Sequence, residues 1–397
     1  MVKYPKIYLG VDNCFAIKRW IEPEDWIPLI KNMGINIGEA SFDNEIDFLY
    51  SPSWYINQWF ERLTRAENKN NFTVRAFYTG YQSYRTAGFA HPEPRMADNL
   101  VLNFFLPVLK KLEETNKFLG LSVHTYPEKV LQDPQRFFDV QTQVINCYTK
   151  LVEYSKKHGN TPVCIEQMYT PAQTPWTIKT NYEFIEKIYE KTHGPIYTSI
   201  DVGHIIGQKK YSKPTSEVLR KNLKEKVTSK NLNIWLGGNY VYNLWDNLLD
   251  SKESIVNKID KVQRAMKEYD YLFSETPENY NPYEWLEKLS PYSPIIHLQQ
   301  TDGVSSPHAP FTKENNKKGI IEGKRVLKSI KASYDKLEPF SDKMPPATKE
   351  ILLNFEIFSS NTMTSYEVIN NVQQSIDYWR KLIPYDGMTI DQIVSQF

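Results

Sequence analysis

Residues 163–204 read VCIEQMYTPAQTPWTIKTNYEFIEKIYEKTHGPIYTSIDVGH. A short apolar run at 163–169 is followed by a helical segment and then by a second apolar run at 196–204. The helix end is indicated by Thr192-His193-Gly194, because a basic residue in the last turn with glycine directly after it is typical of helix carboxyl ends. Near-continuous apolar strands are typical of parallel sheets that helices cover. This stretch is therefore predicted to form one strand–helix–strand unit of a parallel sheet.

The same alternation recurs along the whole chain. Helix starts are indicated by Glu22-Pro23, by Asp133-Pro134 and by the capping-box spacing of Thr364 and Glu367. Eight apolar runs, each ending in polar or small residues, are predicted to be strands: 7–13, 35–41, 72–80, 118–126, 163–169, 196–204, 294–302 and 351–358. Eight strand–helix repeats predict an α/β fold, a single (β/α)8 TIM barrel over residues 1–397, with a doubly wound open sheet as the alternative.

The connection between predicted strands six and seven is longer than one helix requires. Residues 205–292 contain helical patterns at 216–226 and 255–269 and an aromatic segment at 231–245. We interpret 205–292 as a long helical insertion over the mouth of the barrel, where it would act as a lid or as a contact in a homo-oligomer. The loop at 311–323 is polar and rich in lysine, which predicts an exposed segment.

Composition and charge argue against several classes of protein. Lysine plus arginine (48) nearly balance aspartate plus glutamate (47), and a formal charge of +1 gives no reason to expect a nucleic-acid or acidic-membrane partner. Three cysteines without CxxC spacing are too few for a disulfide framework and favour a reducing compartment. The sequence shows no secretory signal pattern and no apolar run of about 20 residues. We therefore expect a cytoplasmic protein without a membrane partner.

Ionisable residues are concentrated at the predicted carboxyl ends of strands, where (β/α)8 barrels have their active sites. Two of the seven histidines, His158 and His193, are assigned to helix ends; the other five lie at strand ends or in the loops after them: His91, His124, His204, His297 and His308. Carboxylates interrupt four apolar strands, at Glu39, Glu166, Asp201 and Glu356. A buried charge is costly unless it is paired or binds a metal, and no lysine or arginine lies within those four strands. This pattern predicts a cation at the barrel mouth.

Predicted strands five to eight each supply one candidate metal ligand. These are Glu166, Asp201, His297 and Glu356. Three carboxylates and one imidazole form a mainly oxygen-donor site, which suits Mn2+ first, with Mg2+, Co2+ or Zn2+ as alternatives. The alternative interpretation is that all four are ordinary buried polar residues held by hydrogen bonds.

Four short motifs in barrel order resemble those of a known superfamily. They are Cys164-Ile165-Glu166-Gln167, Asp201-Val202-Gly203-His204, the His297 strand and Asn354-Phe355-Glu356. In these motifs the chain resembles the xylose-isomerase-like barrels, a superfamily of sugar-phosphate isomerases and epimerases that includes tagatose 3-epimerases and, more distantly, endonuclease IV. The block 292–303, followed by Ser305, Ser306 and His308, most resembles the branch that includes erythrulose-1-phosphate 3-epimerases.

The resemblance implies roles for these residues. It implies that Glu166, Asp201, His297 and Glu356 bind the metal and that His204 contacts a substrate oxygen. The expected activity is epimerisation or isomerisation of a small ketose or ketose phosphate, with a metal-stabilised enediolate and with Glu166 and Glu356 as the two catalytic bases. No lysine lies within a predicted strand, so proton transfer is favoured over a hydride shift. Epimerisation at C3 is favoured, and aldose–ketose isomerisation stays open.

Further side chains are candidates for binding the substrate. The first loop after the His297 strand would hold a phosphate, and Glu39 would bind sugar hydroxyls or pair with Arg75. The candidate substrate-binding residues are His204, His124, His91, Glu39, Ser305, Ser306, His308 and Arg95. Three other functions remain as alternatives: a sugar dehydratase (a lyase) on the same scaffold, a metal-dependent phosphodiester hydrolase of the endonuclease IV type, and a non-catalytic sugar-binding protein.

Overall fold

The computed structural model describes residues 4–17, 19–47, 51–80, 85–113, 115–337 and 342–397. Eight parallel strands close into a barrel in sequence order, which confirms the predicted (β/α)8 fold. Strand β8 pairs with β1 along its length, and the ring closes where β1 pairs with β2 at Val11 and Gly38. The strands are β1 Lys6–Asp12, β2 Ile37–Ser41, β3 Thr73–Thr79, β4 Phe118–Leu121, β5 Val163–Glu166, β6 Ile196–Asp201, β7 Ile295–Leu298, β8 Glu350–Phe355 and β9 Met388–Thr389.

Helices cover the outside of this barrel. Within the described residues they are α1 Pro23–Asn32, α2 Ser53–Asn70, α3 Pro94–Leu100, α4 Leu106–Leu112, α5 Glu128–Leu131, α6 Pro134–Lys157, α7 Ile178–Thr192, α8 His204–Gly207, α9 Ser216–Lys224, α10 Asn239–Leu249, α11 Ile255–Lys267, α12 Pro282–Leu289, α13 Lys313–Lys318, α14 Gly323–Asp335, α15 Ser365–Arg380 and α16 Ile390–Val394. The predicted capping box of Thr364 and Glu367 starts α15. As predicted, His158 follows α6 and His193 follows α7.

The structure corrects several predicted boundaries. Most strands end earlier than predicted, and residue 204 begins helix α8 instead of ending a strand. The loop at 311–323 contains the short helix α13, and the antiparallel strand β9, which pairs with the start of β1, was not predicted. A lysine does lie in a strand: Lys6 is the exposed first residue of β1, at the end of the barrel away from the candidate ligands. The strands shorten because the polar residues after them turn to line the mouth.

Alternate residues of each strand face the barrel interior. Four buried side chains, Ala76, Cys164, Ile295 and Leu352, form an apolar cluster separate from the main core. Each comes from a different strand. Because the side-chain period is two, Glu166 and His297 lie on the same inward face as Cys164 and Ile295, one layer nearer the carboxyl ends. An apolar lower layer therefore supports a polar upper layer.

The segment 205–292 contains helices α8 to α12. The last of them, α12, packs against α7, α14 and β6, which is the place of the barrel's own helix between β6 and β7. The rest of the segment lies over the loop after β4, where Tyr271 donates a hydrogen bond to the Leu131 carbonyl (2.8 Å) and the Asn239 amide donates one to Gln132 (2.6 Å). Its role as a lid or oligomer contact stays a prediction. No helix among the described residues is long and apolar enough to cross a membrane.

Candidate active site

The four predicted metal ligands meet at the carboxyl end of the barrel. Glu166 and Asp201 are the last residues of β5 and β6, His297 is the third residue of β7, and Glu356 directly follows β8. All four side chains are buried, and one possible ligand atom of each lies within 4.8 Å of the others. The barrel geometry therefore brings together residues that are distant in sequence into one group with the donor types of a divalent-cation site.

His297 is the centre of this group. Its Nδ1 atom lies 3.0 Å from Glu166 Oε1 and 3.2 Å from Glu356 Oε2. Its Nε2 atom lies 2.9 Å from Glu39 Oε2 on the opposite side of the ring. A histidine that donates its second N–H to a carboxylate keeps the other nitrogen free and oriented toward a metal. Glu39 is placed to hold His297 in that form.

Glu39 is part of a second, deeper group of carboxylates. Asn354 donates a hydrogen bond to Glu39 Oε2, while Glu39 Oε1 is buried without a hydrogen-bond partner. Asp12, Glu39 and His297 have ligand atoms within 4.8 Å of one another, and burial, together with Glu39, raises the pKa of Asp12 well above its ordinary value. The predicted pairing of Glu39 with Arg75 is wrong, because Arg75 pairs with Glu350 and Glu39 faces the barrel interior.

Burial and neighbouring charges alter the protonation of this centre. The pKa of Glu356 is raised well above its ordinary value by burial, and also by Glu166 and Asp201, although His297 opposes this. Burial alone would lower the pKa of His297, but Glu39 and Glu356 raise it well above its usual range. The Oε2 atom of Glu356 is buried without a hydrogen-bond partner. The packed carboxylates require positive charge, which a divalent cation at this place would supply.

Asp201 is held in its ionised form by the structure around it. Its Oδ1 atom accepts hydrogen bonds from the backbone amides of Gly203 (2.6 Å) and His204 (2.8 Å), and Gln299 Nε2 lies 2.9 Å from both carboxylate oxygens. Burial would raise the pKa of Asp201, but His204 and His308 lower it below its ordinary value. A side chain at position 203 would displace the Gln299 amide from Asp201, which glycine avoids.

Two further histidines line the mouth of the site. His204 Nε2 and His308 Nε2 lie 3.2 Å apart, and the His308 ring stacks on Phe358 at 3.9 Å. Together with Glu356 and Tyr78, among others, they enclose a cavity of about 20 Å3, enough for one water molecule.

Sequence reasoning missed four residues of the site. They are Asp12, Tyr78, Gln299 and Asn354. Asp12 ends an apolar strand as Asp201 does, so the same rule would have identified it. Tyr78 donates a hydrogen bond to Glu166 Oε2, and it lies two residues after the inward-facing Ala76, which was a usable signal. Gln299 and Asn354 give no comparable signal in the sequence, because glutamine and asparagine are also common on protein surfaces.

Several predicted substrate-binding residues have contacts of other kinds. The Glu93 amide donates a hydrogen bond to His91 Nδ1 (3.0 Å). The Glu93 carboxylate pairs with Arg95, whose side chain is 88% exposed. The Ser306 hydroxyl donates to Gln299 Oε1 (3.1 Å), and the exposed Ser305 accepts a hydrogen bond through its carbonyl. Contact of any of these residues with a substrate stays a prediction.

His124 is buried, and its Nε2 atom lies within hydrogen-bond distance of the Thr174 carbonyl. Burial lowers the pKa of His124 to about 4, below the ordinary 6.5. Between pH 6.5 and about pH 4, His124 is therefore protonated in the unfolded chain but not in the folded one. The free energy of unfolding falls as the pH is lowered through this range. Glutamine would keep a donor for Thr174 without titrating. We expect His124→Gln to lose about 2 kcal/mol less unfolding free energy than the parent between pH 7.5 and pH 5 in urea titrations. If the parent and the variant lost the same unfolding free energy between the two pH values, the lowered pKa of His124 would be contradicted.

The closed barrel of eight parallel strands is a fold that this chain shares with several solved structures. Structures with this fold include sugar 3-epimerases. D-psicose 3-epimerase from Clostridium cellulolyticum H10 superposes with a TM-score of 0.52 at 11% identity, covering 94% of this chain and 98% of the epimerase. D-allulose 3-epimerase from Methylomonas sp. superposes with a TM-score of 0.53 at 9% identity, covering 95% and 97%.

A third structure comes from Rhodospirillum rubrum and has been provisionally named a xylose isomerase. It superposes with a TM-score of 0.62 at 16% identity, covering 94% of this chain and 99% of that protein. At these identities the likeness establishes the fold. In sequence, the chain is 29% identical to D-erythrulose 1-phosphate 3-epimerase of Brucella abortus over 106 residues. That match covers 27% of this chain and 30% of the epimerase's length. No protein-family model matches the chain.

Proposed function

We propose that this chain is a divalent-metal-dependent epimerase or isomerase of a small ketose or ketose phosphate. The main support is that two buried glutamates from strands three apart, Glu166 and Glu356, both lie within 3.2 Å of one imidazole nitrogen at the mouth of the barrel. Two carboxylates on different sides of one point can reach both faces of a planar intermediate between them. The fold shared with sugar 3-epimerases supports the same function.

The two glutamates have different environments. Glu166 accepts a hydrogen bond from Tyr78, whereas burial and nearby carboxylates raise the pKa of Glu356 above its ordinary value. Such an asymmetry separates the roles of two carboxyl groups in general acid–base catalysis. Glu166 would take the proton from C3, and Glu356 would return one from the opposite face, which inverts that carbon. Removal of a proton from C1 and its return to C2 would instead give an aldose–ketose isomer.

The metal would be bound by Glu166, Asp201, His297 and Glu356, and Mn2+ is the proposed ion for this mainly oxygen-donor set. A bound divalent cation acidifies the C–H bond next to a substrate carbonyl. Glu39 would orient His297, and Gln299 would orient Asp201. All three cysteines are free and buried, which is compatible with the proposed cytoplasmic location.

The proposed substrate class is a short ketose 1-phosphate. The partial sequence match to an erythrulose 1-phosphate epimerase supports this class. A cleft beside the site is lined by Gly303 and Val304 of the loop after β7 and by the exposed Lys209 and Lys210, which offer positive charge for a phosphate. Ser305 and Ser306 lie in the same loop.

The test follows hydrogen exchange on candidate substrates. Metal-stripped and Mn2+-reloaded protein would be incubated in D2O with small ketoses and ketose 1-phosphates, D-erythrulose 1-phosphate included, while NMR follows the C1 and C3 protons. We expect deuterium to enter at C3 only with metal, accompanied by the 3-epimer. Absence of exchange on every ketose, with metal bound, would contradict proton transfer on these substrates. Release of water from the substrate would instead favour the dehydratase alternative.

A further inference from the structure

Tyr78 is buried at the mouth of the barrel and lies against the proposed metal site. It is the sixth residue of β3, two residues after the inward-facing Ala76, so its side chain also faces the barrel interior. The residue is 4% exposed, and its hydroxyl donates a hydrogen bond to Glu166 Oε2. A hydrogen bond to a carboxylate is roughly twice as strong as one between neutral groups. The contact therefore acts on one of the two glutamates assigned to proton transfer.

This contact gives the two oxygens of Glu166 different partners. Oε2 accepts the hydrogen bond from Tyr78, whereas Oε1 lies 3.0 Å from His297 Nδ1 and 3.9 Å from His204 Nδ1. With Oε2 held, the carboxylate cannot rotate freely about its last bond, and Oε1 stays directed at His297. Carboxylates that bind metals are commonly oriented by a hydrogen bond of this kind from a residue that does not itself touch the ion.

The barrel provides a closely fitting space for the Tyr78 ring. A Cβ atom at Gly80 would collide with the Tyr78 hydroxyl and ring, and one at Gly120 of β4 would lie 3.1 Å from Tyr78 Cδ2. The ring also packs edge-to-face against the His297 imidazole, with centroids 5.0 Å apart and planes at 85°. Two glycines and one imidazole therefore leave the ring little freedom to carry its hydroxyl away from Glu166.

The end of strand β3 is anchored separately from this contact. Asp43, which is buried, accepts hydrogen bonds at Oδ2 from the Thr79 hydroxyl (2.7 Å) and from the Gly80 amide (3.1 Å). These bonds fix the backbone directly after Tyr78. The fold therefore places the phenol, and the phenol in turn places the Glu166 carboxylate.

We propose that Tyr78 is a positioning residue, whose hydroxyl holds Glu166 in the orientation that binds the metal and takes a proton from the substrate. The inference rests on the proposed function, because it uses the two roles given there to Glu166. Tyr78 itself transfers no proton and acts only through Glu166. A Glu166 carboxylate without this hydrogen bond would rotate and perform both roles less well.

The first experiment measures Mn2+ affinity and needs no substrate. Chelator-stripped full-length parent, Tyr78→Phe and Gly80→Ala proteins would be titrated with Mn2+, while electron paramagnetic resonance follows the free ion. We expect both variants to bind Mn2+ about tenfold more weakly, because phenylalanine removes the hydroxyl and alanine displaces it. A Tyr78→Phe variant that binds Mn2+ as tightly as the parent would overturn the proposal.

The matched control is Tyr126→Phe. The Tyr126 residue is 2% exposed, and its hydroxyl is buried without a hydrogen-bond partner among the described residues. The substitution thus removes a buried phenol hydroxyl that holds no other side chain. We expect this variant to bind Mn2+ as the parent does, so that a loss in Tyr78→Phe reports the contact with Glu166.

The second experiment separates positioning from substrate binding. At saturating Mn2+, NMR would follow deuterium entry at C3 of D-erythrulose 1-phosphate over a range of substrate concentrations. We expect kcat of Tyr78→Phe to fall about 10²-fold with KM unchanged, because a misplaced base slows the chemical step alone. A raised KM with the kcat of the parent would make Tyr78 a substrate-binding residue and refute the positioning role.

The two experiments also distinguish failure of this inference from failure of the proposed function. A parent that binds Mn2+ but exchanges no deuterium, with weaker Mn2+ binding in Tyr78→Phe, contradicts the epimerase and supports the positioning of Glu166 by Tyr78. A parent that exchanges deuterium, with a Tyr78→Phe variant equal to it in both measurements, contradicts only the role of Tyr78.

Discussion

Replacing Glu356 with glutamine is expected to slow deuterium entry at C3 of a ketose substrate by about 10³-fold. Glutamine has nearly the same shape but neither holds nor returns a proton at neutral pH. In the structure, Glu356 Oε2 lies 3.2 Å from His297 Nδ1 and borders the cavity at the mouth, where a substrate carbon would lie. Glu166→Gln should give a comparable loss, because two-base inversion requires both groups.

The matched control is Glu350→Gln. Glu350 is the first residue of the same strand β8, but it lies at the opposite end of the barrel and pairs with Arg75. We expect the Glu350→Gln variant to exchange deuterium at C3 at the same rate as the parent. Since Glu356 is also a candidate metal ligand, bound Mn2+ must be measured in each variant, and rates compared at equal metal content. A Glu356→Gln variant that exchanges at the parent rate with metal bound would remove this glutamate from the chemistry.

Replacing Gly88 with alanine is expected to lower the unfolding free energy by about 4 kcal/mol or more. Gly88 has a φ angle of +53°, and a Cβ atom there would lie 1.5 Å from the carbonyl oxygen of Val123. That oxygen is backbone, and the segments are joined by hydrogen bonds from Phe89 to Val123 (3.3 Å) and from Thr125 to Ala87 (3.3 Å). Relief of the collision therefore requires the loop after β3 to separate from the end of β4.

Gly34→Ala is the control for the backbone conformation alone. Gly34 has a φ angle of +85°, but no other atom lies within 4 Å of the position that its Cβ would occupy. We expect a cost of about 1 kcal/mol, since only the left-handed backbone opposes the substitution. Urea unfolding of both variants measures the two costs. Equal values would show that the collision at Gly88 is relieved by a small backbone shift and that the close approach of the two segments is not required for stability.

Much of the fold followed from the sequence because a barrel repeats one local unit. The apolar runs and the helix signals between them are read from neighbouring residues, and the structure confirms the eight-stranded barrel. Boundaries were less accurate where polar residues continue beyond a strand, as at His204, which begins α8. There the sequence pattern of a strand end and that of a loop lining the mouth are the same.

Part of the candidate site was also predictable from the sequence, because its residues lie at the ends of the predicted strands. Strands of a closed barrel all end at one rim, so a carboxylate or histidine near the end of an apolar strand must lie close to the others. This rule identified Glu166, Asp201, His297 and Glu356, and it applies equally to Asp12, which was overlooked.

What the sequence determined by itself, then, is the barrel and the four candidate metal ligands at its rim, because these depend on local periodicity and on the shared direction of parallel strands. The tertiary structure alone decided which of those side chains meet. His297 contacts Glu39, 258 positions earlier, and His308 contacts His204, 104 positions earlier. Such contacts depend on barrel closure and on the path of the loop after β7, which is fixed by Gln299 and Phe358 and has no periodic signal in the sequence.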